Sequence, residues 1–161
     1  MRAYVPSDAQ AVLAINAECV PEVGAMDAEK LATLEEMAGF FAVVELDEQV
    51  VGFLIGLDEH ATTYGSPNYA WFAERYPSFA YVDRIALSAS ARGNGFGPDL
   101  YRAFEAWAFG HGKPALLAEV NTIPDNPRSH RFHELFGFAE LERCRPYGPD
   151  EEVAMYAKPL A

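Results

Sequence analysis

Residues 78–121 run through an apolar strand, a glycine-rich segment, a helix and a second apolar strand. "SFAYVDRIALS" is the first strand and "PALLAEVN" the second. Between them "ARGNGFGPDL" carries Gly93, Gly95 and Gly97, and "YRAFEAWAF" continues a helix whose apolar stripe is Phe96, Leu100, Phe104 and Trp107. A helix between two strands demands a crossover, so these strands lie parallel with the helix on one face of the sheet. A turn alone needs one glycine or two. Glycine at every second position, at the mouth of a helix, points to something that must approach the backbone closely.

The remaining segments add antiparallel strands around that unit. "RAYV" reads as a short first strand. Ser7 and Gln10 fit a capping box that opens a helix to about Cys19, with Pro21 and Gly24 ending it. Asp27 caps a second helix, "AEKLATLEEMA", closed by Gly39. "FFAVVEL" and "VVGFLIGLD" form a hairpin, "HATTYGSPN" is a loop, and "YAWFAERY" makes a short helical turn. "PRSHRFHELF" is a helix with Pro127 in its first turn and Gly137 at its end. "FAELERCR" and "EEVAMYAKPL" are two closing strands. The expected fold is α/β of the α+β kind. It is one domain over residues 1–161, with a mixed, mostly antiparallel sheet of about seven strands, one central parallel pair and four flanking helices.

Composition excludes several functions. Net charge is −12 and only three of the 12 basic residues are lysines, so phosphate backbones are repelled and nucleic acid is not a partner. No apolar run approaches a membrane span of about 20 residues, and the first residues show no apolar signal region. Cys19 and Cys144 form no metal or redox motif and read as reduced thiols of a cytoplasmic protein. His130 and His133 stand three apart on a helix, but no HExxH pattern accompanies them, and no metal is expected.

The glycine segment admits three readings. A Walker loop requires a lysine and a Ser/Thr after its last glycine, and none follows. A dinucleotide fingerprint needs a third glycine where Pro98 stands, with Glu119 on the next strand as the ribose acid, and too little chain follows to complete a doubly wound sheet. An R-x-x-G-x-G pattern, from Arg92, Gly95 and Gly97, offers bare amides and a helix N-terminus to a diphosphate. A turn that only tightens strand-to-helix packing is the plain alternative.

"YVDRIALSASARGNGFGPDLYRAF" resembles the acyl-coenzyme-A-binding motif of the GNAT acetyltransferase superfamily, and "NPRSHRFHELFGF" resembles its second motif. The element order is similar over nearly the whole chain. Within the superfamily the chain looks most like a bacterial branch known only as predicted acetyltransferases. The resemblance implies a central parallel pair that splays apart, and transfer of an acetyl group from acetyl-coenzyme A (acetyl-CoA) to a primary amine of a small molecule or peptide. It implies that the amides of Gly93, Asn94, Gly95, Phe96 and Gly97, with Arg92 beside them, bind the diphosphate. The backbone of Ile85, Ala86 and Leu87 would hold the pantetheine arm, and Asn126 would contact that arm or order the loop near it. Ser129 and Phe132 lie beside the cofactor on the same reading. Pro98 departs from many members and removes one amide.

An amine of pKa ~10.4 is ~99.9% protonated near neutral pH, so acyl transfer to it needs a base. In related enzymes the base comes from the splayed strands, which here offer Asp83, Glu119 and Tyr81. Tyr81 and Asp83 share one face of their strand, with Arg84 on the other, and Glu119 and Asn121 share a face of the neighbouring strand. Structural pairing, such as Arg84 with Glu119 or Asp83 with an arginine, competes with catalysis. Many members place a tyrosine seven residues after the asparagine to protonate the departing sulfur. Here that position is His133, as a histidinium acid, a neutral N–H donor, or a residue packed on the cofactor. The acceptor pocket is expected from Asn16, Tyr64, Asn68, Tyr69, Trp71 and Phe72, with Tyr81 and Asn121. The closing strands of this superfamily often pair between subunits, which makes a homodimer the expected assembly. A non-catalytic acyl-CoA-binding or sensing module is the competing function, motivated by the missing tyrosine. A nicotinamide enzyme is a third.

Overall fold

A computed structural model describes residues 1–161. Seven strands form one sheet in the order β1-β2-β3-β4-β5-β7-β6. They are β1 (Arg2–Ala3), β2 (Phe40–Leu46), β3 (Gln49–Asp58), β4 (Ala80–Leu87), β5 (Ala115–Ile123), β6 (Ala139–Cys144) and β7 (Glu152–Pro159). Every neighbouring pair is antiparallel except β4 and β5. The helices are α1 (Ala9–Glu18), α2 (Ala28–Met37), α3 (Pro67–Ala73), α4 (Phe96–Gly110) and α5 (Pro127–Phe136). None is long and apolar enough to cross a membrane.

Five helices are present where four and a helical turn were expected. Ser66 accepts from the Tyr69 N–H at 3.3 Å and Pro67 pre-sets the first turn, so the segment expected as loop starts α3. The Ser7–Gln10 box does not form. Pro6–Asp8 make a 3-10 turn, in which the Asp8 carboxylate accepts from the Val5 N–H at 2.9 Å and from Arg2 at 2.7 and 2.9 Å. Asp27 does cap α2, accepting from the Lys30 N–H at 2.8 Å.

Apolar alternation along the strands divides the core in two. Val12, Ile15, Leu34, Phe53, Ile55, Phe72 and Tyr81 pack under α1–α3. Leu54, Val82, Leu100, Phe104, Leu116 and Ala118 pack under α4 and α5. Gly56 lets α4 sit down on the sheet, because a Cβ there would stand 2.2 Å from the fully buried Phe104 ring. Cys19 is buried, Cys144 is half-buried, and both are free.

The parallel pair is short. β4 meets β5 only at Ala80–Leu116 and Tyr81–Leu117, and the two then part. On its other side β4 pairs Val82 with Gly56 and Arg84 with Ile55, so Asp83 has no partner and forms a β-bulge. A bulge bends its strand and resets which face the following side chains occupy. Arg84 accordingly falls on the α1 face, where it reaches Asn16, rather than on the face opposite Tyr81 and Asp83 as strict alternation predicts.

Candidate active site

The gap between β4 and β5 is a cleft of about 460 Å³, walled by both strands, the α1–α2 connection and the start of α5. Its β4 wall presents unpaired backbone. The Ser88 N–H bonds to the Val51 carbonyl at 2.8 Å, so by the two-residue period Ala86 also faces β3. Ile85 and Leu87 face away, into the gap. Ala86, expected among the pantetheine contacts, therefore has its backbone in the β3 ladder, paired with Phe53. The outward Leu87 carbonyl accepts from the Cys19 thiol at 3.4 Å.

Gly93 (φ +83°) and Gly95 (φ +80°) both adopt the left-handed conformation, and Gly95 caps α4. No atom lies within 4 Å of where a Cβ would stand at either, so the loop offers an open face of backbone. Phe96 and Gly97 are the first residues of the helix proper, and their N–H groups have no intrahelical acceptor. Pro98 comes third, where its missing N–H sacrifices no helical bond. The Asn94 side chain turns back to the Ser90 and Ala91 carbonyls at 3.4 and 3.2 Å, shaping the loop and leaving its own amide free to point out. Arg92 is exposed beside it. This cradle has the room and the donors that a diphosphate requires.

Glu119 enters the gap from β5. Its Oε1 accepts from the Tyr81 hydroxyl at 2.9 Å and from Asn68 Nδ2 at 3.2 Å. Its Oε2 is buried without a partner, and so is Asn68 Oδ1. Burial pushes the carboxyl up to about 7, opposed by the Tyr81 hydrogen bond and reinforced by the charge of Asp83. The carboxylate is therefore near its midpoint around neutrality, with one oxygen unused.

Asp83 is committed elsewhere. Its Oδ1 accepts from the Tyr64 hydroxyl and its Oδ2 from Arg84 Nε at 2.8 Å. Arg84 continues to Asn16 Oδ1 at 3.1 Å and the Gly24 carbonyl at 3.0 Å. The expected pairing of Arg84 with Glu119 does not occur, and Asp83, held by an ion pair, is not free to act as a base. Asn16 is fully buried behind Arg84, so it supports the cleft wall and does not line it. Tyr81 is likewise not a base: its hydroxyl donates to Glu119, and burial drives its pKa well above the usual value.

The aromatic acceptor wall is smaller than expected. Tyr69 is a core residue whose hydroxyl donates to the Asp58 carbonyl at 2.7 Å. Phe72 is fully buried, and Trp71 lies outside the cleft under the Arg75 guanidinium, 4.0 Å from its ring centroid. Tyr64, Asn68, Tyr81 and Asn121 do line the cleft, as expected. Lys30 and Tyr147 line it too and were not anticipated. Tyr147 belongs to the connection between β6 and β7, and no local pattern ties that connection to the gap.

On α5, Asn126 accepts from the Ser129 N–H at 3.2 Å, capping the helix and ordering the loop. Ser129 lines the cleft, whereas Phe132 packs edge-on against Tyr101. His133 is 4% exposed, with both ring nitrogens used. Nδ1 lies 2.8 Å from the Ser129 carbonyl, which can only accept, so Nδ1 carries the proton. Nε2 then accepts from the Tyr101 hydroxyl at 2.7 Å. Burial pulls the imidazole down to about 4, so it is neutral at physiological pH. The histidinium acid is thereby excluded. Tyr101 of α4, whose hydroxyl His133 holds, is also among the residues that line the cleft. Tyr101 escaped the sequence reading because it directly follows Leu100 in an apolar stripe and looks like core.

Residues 9–138 match the sequence profile of the Acetyltransferase (GNAT) family. The chain belongs to that family. No curated protein sequence matches it significantly. Ard1 from Thermoplasma volcanium has the same fold, with TM-score 0.79 and 22% identity over 99% of this chain and 96% of that one. So does the ribosomal-protein-S18-alanine N-acetyltransferase of Escherichia coli, with TM-score 0.76 and 17% identity over 98% and 90%. A Bacillus anthracis acetyltransferase solved with acetyl-CoA is similar over 77% of this chain and 64% of its own, with TM-score 0.59 and 18% identity. The chain is thus a GNAT acetyl-CoA-dependent N-acetyltransferase, and an amine is its acceptor.

Proposed function

We propose that this GNAT enzyme acetylates a primary amine by direct attack within a ternary complex, with Glu119 as the base. The observation that carries the reading is the pair of orphaned buried acceptors, Glu119 Oε2 and Asn68 Oδ1. Buried polar atoms are rarely left unpaired, and unpaired acceptors on two residues already joined by a hydrogen bond suit an ammonium that brings N–H groups to both. Bringing the amine to its neutral form near pH 7.4 costs about 4 kcal/mol. Glu119, poised near 7, takes that proton at Oε2 while Asn68 Oδ1 keeps hold of a remaining N–H.

Acetyl-CoA supplies the activated acetyl group, and the residues present fit it. The amides of Gly93 to Gly97 and the Arg92 guanidinium serve the diphosphate. The outward backbone of Ile85 and Leu87 extends the sheet to the pantetheine arm. Asn126 and Ser129 border that arm on α5. The nitrogen–carbon bond forms as the carbon–sulfur bond breaks, and the Tyr101 hydroxyl turns its one O–H from His133 Nε2 to the departing sulfur. His133 is a positioning residue that holds that hydroxyl. With Tyr101 in place, the missing tyrosine on α5 no longer favours a sensing module. The unpaired outer edge of β6 is where a second copy would add, and sedimentation tests that dimer.

The test is acetyl-CoA with an amine library, read by mass spectrometry. Glu119→Gln should bind acetyl-CoA normally and yield at least a hundredfold less product from the amines that wild type acetylates. Full activity in that variant would remove Glu119 from the mechanism.

A further inference from the structure

We propose that the acceptor carries a carboxylate as well as its amine, and that Lys30 and Arg84 hold that carboxylate across the cleft from Glu119. The inference rests on Glu119 as the base and names the class of amine that the base serves.

The cleft has two chemically opposite walls. Beside Glu119 two buried acceptors, Glu119 Oε2 and Asn68 Oδ1, lack a partner. On the α2 side the half-buried free groups are donors. Lys30, in the first turn of α2, is half-buried and lines the cleft. The other two lysines are paired, Lys113 with Asp58 and Glu59 at 3.0 and 2.8 Å, and Lys158 with Glu105 at 2.7 Å. The one hydrogen bond that Lys30 makes comes from its backbone N–H, and its ammonium has no partner. In a chain with 24 acidic and 12 basic residues, a half-buried lysine without a carboxylate stands out.

Arg84 lies beside it, 6% exposed. Its Nε and Nη1 are spent on Asp83, Asn16 and Gly24, its Nη2 makes no hydrogen bond, and Arg84 is among the residues that line the cleft. Asp83 balances the charge of Arg84, which leaves Lys30 as net positive charge on that wall. Burial and then the Arg84 guanidinium push the Lys30 ammonium below its usual value, with Asp83 and Asp27 opposing. Glu22 and Glu151 line the rim, but both are exposed and neither contacts Lys30. A plain alkylamine answers only the Glu119 wall. A molecule with an ammonium at one end and a carboxylate at the other answers both, by charge-assisted hydrogen bonds.

The experiment measures acetylation of free amino acids of graded amine-to-carboxylate spacing. Each is compared with its carboxamide and its decarboxylated amine. The acids should exceed their carboxamides at least tenfold in kcat/KM, for the spacing that spans the cleft. Lys30→Met should raise KM for that acid at least tenfold while leaving its melting temperature, its KM for acetyl-CoA and its kcat/KM for the carboxamide within twofold of wild type. Lys30→Arg should restore most of the loss. Carboxamides turned over as well as acids, or equal losses for both in Lys30→Met, would overturn the inference while leaving the acetylation of amines intact. Failure of the underlying reading looks different: full activity in Glu119→Gln, or no acetylated product from any amine.

Discussion

Replacing Glu119 with glutamine should make the protein more stable and nearly inactive at once. The carboxyl titrates near 4.5 in an unfolded chain and about 7 in the fold, chiefly because burial penalises its charge. A shift of ~2.5 pKa units is worth about 3 kcal/mol. The folded-state value is raised, so the favourable balance is intact below 4.5 and is lost as pH rises through 7. At pH 8 wild type carries the whole penalty and Glu119→Gln carries none. The glutamine oxygen still accepts from Tyr81 and Asn68, and its amide can donate toward the free Asn68 Oδ1. The variant should therefore melt about 6–12 °C higher at pH 8, since ~1 kcal/mol moves a domain of this size by about 2–4 °C. The gain should shrink steadily between pH 7 and 5 and vanish near pH 4. Paired thermal melts of wild type and variant across that range test it. A variant that is equally stable, or less stable, at every pH would show that the carboxylate is not held at a cost. The poised base would fall with it.

The other predictions concern the sulfur, the loop and the acid limb. Tyr101→Phe should lower kcat about 10–100-fold with KM for acetyl-CoA within a few-fold, and should cost about 1–3 kcal/mol because His133 Nε2 loses its donor; steady-state kinetics with chemical unfolding check both. Gly95→Ala should cost about 1–2 kcal/mol from its positive φ alone and weaken acetyl-CoA binding by calorimetry, since the added methyl projects into the open cradle. His133, whose pKa is depressed from 6.5 to about 4, contributes stability that is full above 6.5 and lost as pH falls through 4. His133→Gln should therefore flatten the acid side of the stability curve in urea titrations run between pH 7 and 4.

The strand-glycine-helix-strand unit was legible because each part has its own signal: apolar runs, left-handed glycines and a helical stripe. The parallel pair followed from connectivity alone. Glu119 was among the sequence candidates because a carboxylate inside an apolar strand demands an explanation. What it pairs with was not legible, because the Asp83 bulge breaks the alternation that assigned Arg84 to the other face. Tyr101 and Lys30 were hidden for a different reason. A tyrosine beside an apolar stripe and a lysine in a first helical turn are locally ordinary, and only the packing of distant elements brings both to one cleft. His133 shows the converse. Position pointed to it, and its hydrogen bonds and burial then made it a support for the tyrosine hydroxyl.

The bulge at Asp83 also bears on how such an enzyme can be improved. One surplus residue holds two strands apart, so the working space exists because the sheet is imperfect at that point. Deleting Asp83 would restore uninterrupted pairing with β3, straighten β4 and let it zip against β5 beyond Tyr81. The product would have a more regular sheet with nowhere to put a thioester, and a buried Arg84 guanidinium without its carboxylate. The surplus residue is thus tied down by its own ion pair, and the sheet cannot be made regular here without rehousing Arg84 as well.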